Sequence, residues 1–141
     1  MTKTLFLDFD GVLHANTATK DQLFNKSFLL EDLMQQTTFD IVVSSTWRSF
    51  YKRHELLALL PPTVAQNVVG ITGKDSMTRL GRYHEIVAYC DLHEISNPQA
   101  WCALDDSVIE FPVGCPQLIA CDPATGITAL EIEKLKAWLL S

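Results

Sequence analysis

The stretch Thr4-Leu5-Phe6-Leu7-Asp8-Phe9-Asp10-Gly11-Val12-Leu13 decides the fold. Thr4–Phe9 reads as a strand: it is short, apolar and aromatic, and carboxylates cut it off. Side chains alternate along a strand, so Asp8 and Asp10 leave on the same side while Phe9 turns into the core. Gly11 then permits a tight turn with backbone close to a ligand.

Outward from this strand, short apolar runs alternate with segments of helical period. Ser27–Gln36 predicts a helix with Phe28, Leu29, Leu33 and Leu30 as its buried stripe. Phe39–Val43 is a second strand, continuous in β-branched residues and so covered on both faces. Tyr51–Leu60 predicts a helix stopped by Pro61-Pro62. Val68–Ile71 is a short third strand, Arg82–Leu92 a helix with Ile86, Val87 and Cys90 facing the core, Ala100–Leu104 a buried strand, and Leu118–Cys121 another. Ala129–Leu140 is the last helix, opened by a capping box in which Thr128 caps and Glu131 reaches back. The rhythm predicts an α/β fold, a three-layer sandwich around a mostly parallel central sheet, in one domain over residues 1–141.

With 141 residues, 48% hydrophobic and 20% charged, the chain is rich enough in apolar residues for one packed core. The net charge is −6, and the nearest approach to a basic run is Arg48, Lys52, Arg53 and His54. That argues against a strong sequence-independent grip on nucleic-acid phosphates. Cys90, Cys102, Cys115 and Cys121 form no Cys-x-x-Cys pair and read as small buried hydrophobes in a reducing compartment. The apolar start is too short and too acidic for a signal peptide or membrane span, so a soluble, cytoplasmic protein without a membrane partner is expected.

Ligands of an open parallel sheet bind beyond the carboxyl ends of its strands. Asp8 and Asp10 fall at one such end, Ser44 and Ser45 at a second, and Asp105-Asp106 at a third. Carboxylates crowded together repel unless a cation sits among them. An all-oxygen, anionic pocket suits Mg²⁺ rather than zinc.

These residues resemble the haloacid dehalogenase superfamily of phosphohydrolases. Its first motif, an apolar strand followed by Asp-x-Asp-Gly, is matched by Leu5 to Leu13. Ile41-Val42-Val43-Ser44 is similar to the second, a strand ending in Ser or Thr. Arg82 in Gly81-Arg82-Tyr83-His84-Glu85-Ile86 best fits the third, a basic residue near a helix start, with Lys74 and Arg79 as competing candidates. Trp101-Cys102-Ala103-Leu104-Asp105-Asp106 resembles the fourth. Ser44-Ser45-Thr46-Trp47-Arg48 and Asp122–Thr128 look like a small, capless branch that includes phosphatase domains attached to RNA-repair proteins. The resemblance implies a Rossmann-like core without a cap domain, since neither His14–Thr38 nor Trp47–Leu80 is long enough to hold one.

The resemblance also implies roles. Asp8 would be the nucleophile that forms an aspartyl-phosphate, and Asp10 the acid–base. Mg²⁺ would be held by the Asp8 carboxylate, the Asp10 carbonyl and a fourth-motif acid, with Asp106 favoured as direct ligand and Asp105 supporting. Ser44 would donate to a phosphoryl oxygen, and Arg82 would stabilise the transferring charge.

Gly11, Ser45, Trp47 and Arg48 are candidate substrate contacts; Arg48 would pair with phosphate and Trp47 would stack on a base or pack on the core. His14 reads as a surface turn residue, with lining of the site as the alternative, and His54, His84 and His93 read as solvated. Trp101 and Trp138 read as core. An open site admits a bulky chain end, so the expected substrate is a macromolecular or nucleotide-terminal phosphate, on a nucleic-acid end or a phosphoprotein. A two-metal nuclease and a non-catalytic phosphate- or partner-binding module are the rival readings. A receiver domain is disfavoured, because Ile71 is followed by Thr72-Gly73 instead of an Asp.

Overall fold

The computed structural model describes residues 2–73 and 78–141. Five parallel strands form the sheet: β1 (Thr4–Leu7), β2 (Asp40–Val43), β3 (Val68–Ile71), β4 (Trp101–Asp105) and β5 (Leu118–Ala120). Their spatial order is β3-β2-β1-β4-β5. Leu7 pairs with Val43 on one side and with Leu104 on the other, so the three central strands end level.

Helices α1 (Ser27–Gln36), α2 (Arg53–Ala58), α3 (Pro62–Ala65), α4 (Gly81–Leu92) and α5 (Ala129–Leu140) complete the layers. Strand alternation sorts the core in two. Leu5 and Leu7 pack with Leu33, Val64 and Leu135 of α1, α3 and α5, while Phe6 packs with Ile86 and Cys90 of α4. The chain therefore builds outward from β1 on one face, then returns on the other to enter β4. That reversal puts a topological switch point between β1 and β4, where a crevice opens at the strands' carboxyl ends.

The stripe expected on α1 is rotated. Leu30, Leu33 and Met34 are buried, whereas Phe28 is 51% exposed, because the face toward the sheet is set by the i, i+3, i+4 row through Leu30. The helix expected over Tyr51–Leu60 is shorter, and Pro62 opens a separate turn of helix. A proline at the first helical position loses no hydrogen bond, so the pair that ends α2 also starts α3. Thr128 and Glu131 form the expected capping box. Trp101 is buried and Trp138 half-buried, and His54, His84 and His93 are exposed.

Among the described residues, no cap interrupts the fold. The stretch after β1 holds a short 3-10 turn at Lys20–Gln22, and the stretch between β2 and α4 holds only short helices and β3 among the described residues. Among those residues, no helix is long and apolar enough to cross a membrane.

Candidate active site

Backbone pairing carries the acids into the crevice. The Asp8 N–H donates to the Leu104 carbonyl at 3.1 Å and the Ser44 N–H to the Leu7 carbonyl at 2.8 Å, which extends the ladder past the strand ends. Gly11 turns the chain immediately afterwards with φ +73°, in the left-handed region that favours glycine. A Cβ there would lie 2.2 Å from Asp106 Oδ2, so the close approach of the first loop to Asp106 requires this glycine.

Asp8, Asp105 and Asp106 each present an oxygen, and these oxygens lie within 4.8 Å of one another. Burial is the largest influence on Asp8 and raises its carboxyl well above the ordinary range; Asp105 raises it further and Arg82 pulls it down. Burial also pushes Asp105 from 3.8 up to about 6, against the opposing pull of Arg82 and the Ser107 N–H. A divalent cation among the three would reverse this by favouring every ionised form. Crowded, desolvated carboxylates with hard oxygen donors thus fit a metal of the magnesium class.

Among the described residues, Arg82 is the cation the fold brings to these acids. Its Nη1 donates to Asp105 Oδ2 at 3.0 Å, lies 3.3 Å from Asp8 Oδ1, and also donates to the Ser44 carbonyl. Burial alone would lower the guanidinium's pKa, but Asp105 and Asp8 together raise it. Arg79 is exposed, beside a separate apolar cavity, and Lys74 lies outside the described residues.

The two fourth-motif acids differ. Asp105 is 1% exposed and both its oxygens are engaged, one by Arg82 and one by the Ser107 N–H at 2.9 Å. Asp106 is half-buried and lines the open cleft. Ser44 Oγ is buried beneath the site and has no hydrogen-bond partner among the described residues.

Asp10 is placed differently from Asp8. Its side chain is 52% exposed, and its two oxygens meet His14 Nε2 at 2.7 Å and Trp47 Nε1 at 2.8 Å. His14 is a correction to the expected surface turn: it is buried, because the chain doubles back after Phe9 and returns His14 to the Asp10 side chain. Trp47 donates to Asp10 while its ring packs edge-on against Phe9 and Phe24 and stacks on Tyr51. Ser45 is buried, and its hydroxyl accepts the Trp47 N–H at 3.3 Å. Arg48 turns to protein partners: Glu85 at 2.7 Å and the Ser45 and Gly73 carbonyls at 2.7 and 2.9 Å. Of that segment, Thr46 is the residue that lines the cleft.

The cleft has a volume of about 490 Å³ and takes Asp8, Asp10, Arg82 and Asp106 as its floor, with Asn16, Val108, Ile109 and Pro123 on its walls. An adjoining cavity of about 600 Å³, across Val108 and Ile109, is more apolar and carries no acid. The chemistry therefore belongs to the smaller one. Asn16 was not singled out in the sequence, and Pro123 entered only within the Asp122–Thr128 resemblance. His14, read from the sequence as a surface turn residue with site lining as the alternative, is placed beside Asp10.

A family described as the HAD domain in Swiss Army Knife RNA repair proteins matches residues 4–132. The chain belongs to this HAD family. No curated protein and no solved structure matches it. Membership gives the HAD domain a phosphatase-type, hydrolytic function in general, and HAD proteins typically use a metal, in accord with the three-acid cluster. The match covers all five strands, both ends of the crevice and every acid of the site.

Proposed function

We propose that this HAD domain is a Mg²⁺-dependent phosphatase that removes a terminal phosphate monoester from a nucleic-acid end through an aspartyl-phosphate on Asp8. The observation that carries the reading is the convergence of Asp8, Asp105 and Asp106 with the buried Arg82 at one strand-end crevice. The family's tie to RNA repair and the uncapped cleft favour a chain end over a small metabolite.

Asp8 Oδ1 accepts from the Phe9 N–H at 2.8 Å and faces Arg82, and the Asp8 carboxylate is the group that attacks phosphorus in line. As the new O–P bond forms, the bond to the leaving oxygen breaks and Asp10 supplies that oxygen's proton. Water then attacks the phosphoryl group, Asp10 takes its proton, and the Asp8–phosphorus bond breaks to release inorganic phosphate. Arg82 stabilises charge on the transferring group, and the unpartnered Ser44 hydroxyl is available to a phosphoryl oxygen. The Asp8 and Asp106 carboxylates and the Asp10 carbonyl would hold a Mg²⁺ ion, which when bound would neutralise and orient the phosphate. Asp105 is spent on Arg82 and Ser107, which favours Asp106 as the direct ligand.

The test is hydrolysis of p-nitrophenyl phosphate with Mg²⁺ by wild type and Asp8→Asn, followed by 3′- and 5′-phosphorylated oligonucleotides and phosphopeptides. Full activity in Asp8→Asn would overturn the mechanism. Cutting of internal phosphodiesters would favour a nuclease, and phosphopeptide preference would replace the nucleic-acid substrate.

A further inference from the structure

We propose that His14 and Trp47 are positioning residues that hold the Asp10 carboxylate in its acid–base pose. The inference rests on the role given to Asp10 above. Both Asp10 oxygens are engaged by ring nitrogens from different parts of the chain, Oδ1 by His14 and Oδ2 by Trp47. Two such contacts fix the carboxylate plane as well as its position, although the side chain is still half exposed to the cleft.

The protonation of His14 follows from its other nitrogen. Nδ1 accepts the Phe24 N–H at 3.1 Å, so the ring proton sits on Nε2 and is directed at Asp10. Trp47 Nε1 is a donor only, so neither contact can reverse its direction. Asp10 is thus the acceptor in both.

The rings are themselves immobilised. Phe24 packs edge-on against three rings, its centroid 5.2 Å from His14, 5.3 Å from Phe9 and 5.3 Å from Trp47, and His14 and Trp47 meet at a tilt. Phe24 adopts φ 61°, a left-handed conformation disfavoured for a residue with a side chain. Backbone strain of this kind persists where the surroundings over-determine it, as around a functional group. Here it aims the Phe24 N–H at His14. The segment after the first motif, the place where a cap would be inserted, instead builds the support for Asp10.

Asp10 acts in both half-reactions, and loss of its orientation should cost most where a proton is most needed. The experiment compares kcat/KM for p-nitrophenyl phosphate and ethyl phosphate in the full chain with Mg²⁺. This parameter reports events up to departure of the leaving group; p-nitrophenolate leaves without a proton, whereas ethoxide requires one. The readout is the ratio of the two values.

In Asp10→Asn the ratio should rise by on the order of 10²–10⁴, the usual worth of a general acid. Trp47→Phe keeps the ring packing but removes the donor, and His14→Asn keeps an acceptor for Phe24 but not the reach to Asp10. Each should raise the ratio by about tenfold or more, as expected for a misplaced catalytic group. His14→Gln, whose amide nitrogen reaches the Nε2 position, should stay near the wild-type ratio. Equal losses on both substrates in Trp47→Phe and His14→Asn, beside a raised ratio in Asp10→Asn, would overturn the positioning role alone. A wild-type ratio in Asp10→Asn would overturn the acid–base assignment on which it rests.

Discussion

Removing divalent metal and raising the pH should weaken the fold through the acids at the β1/β4 seam. Burial sets Asp105 at about 6 in the folded chain, against 3.8 as its ordinary value. The sign follows from proton binding. At the acid end, below about pH 4, both folded and unfolded chains carry the Asp105 proton, and the contribution to stability is complete. As pH rises through the interval up to about 6, the unfolded chain gives up its proton first, and the contribution is lost. The rise from 3.8 to about 6 corresponds to a loss of about 3 kcal/mol for this residue. Asp8 shifts in the same direction and adds to the effect. Urea melts of the metal-free protein across this range, on wild type and Asp105→Asn, report the contribution of Asp105 together with its influence on Asp8. Wild type should lose stability relative to Asp105→Asn as pH rises. Binding of Mg²⁺ to ionised carboxylates displaces protons, so its stabilising effect should be small at the acid end and large near neutrality. A wild-type curve parallel to that of Asp105→Asn, or equal Mg²⁺ stabilisation at both ends, would refute the reasoning.

Gly11→Ala should cost about 1–2 kcal/mol in backbone strain and, by driving its Cβ against Asp106, should weaken Mg²⁺ binding in calorimetry by more than the stability loss alone explains. Arg48→Ala should destabilise by about 3–5 kcal/mol in denaturant melts, because it removes a partner of the buried Glu85; Glu85→Gln in the same background should recover part of that loss. Burial raises the thiols of Cys90, Cys102 and Cys121, Cys90 to about 11, so the native protein should react slowly with alkylating reagents at these positions, and only denaturant should expose them. Mass spectrometry of the labelled peptides checks this, with half-buried Cys115 expected to label first.

The strands were legible because each is a continuous apolar run that stops at a polar residue, and a strand covered on both faces can be little else. Val68–Ile71 was readable at its full length even as an edge strand with Val69 half exposed. The strand-end rule also brought Asp8, Asp10, Ser44, Asp105 and Asp106 to one end of the sheet before any coordinates. What it could not supply is which side-chain atoms meet. Arg48 and Glu85 are 37 residues apart and meet because α4 packs on the sheet face that carries Val42 of β2. Arg82 and Glu85 sit three apart on α4 and both are buried, a placement their spacing does not signal, since charges three apart are equally common on a solvated helix face. The surface-turn reading of His14 failed for a different reason. Loop histidines are ordinarily exposed, and only the reversal of the chain through Phe9, Val12 and Leu13 brings this one under Asp10.

Two aspartates separated by one residue thus meet opposite surroundings. Asp8 is buried among other carboxylates and against a guanidinium, where its state depends on what charge shares the pocket. Asp10 reaches half into the cleft, where the His14 ring, oriented by the Phe24 N–H, and the indole of Trp47 engage it. A nucleophile needs the first kind of surrounding, in which a bound cation can hold it ionised and aimed. An acid–base needs the second, in which the group exchanges a proton with the cleft without losing its direction. The turn at Gly11 produces the divergence by sending the chain back over its own strand end, so that His14 closes on Asp10 while the glycine itself lies against Asp106. The proposed division of labour between Asp8 and Asp10 is therefore written into the seven residues from Asp8 to His14 and completed by Phe24 and Trp47.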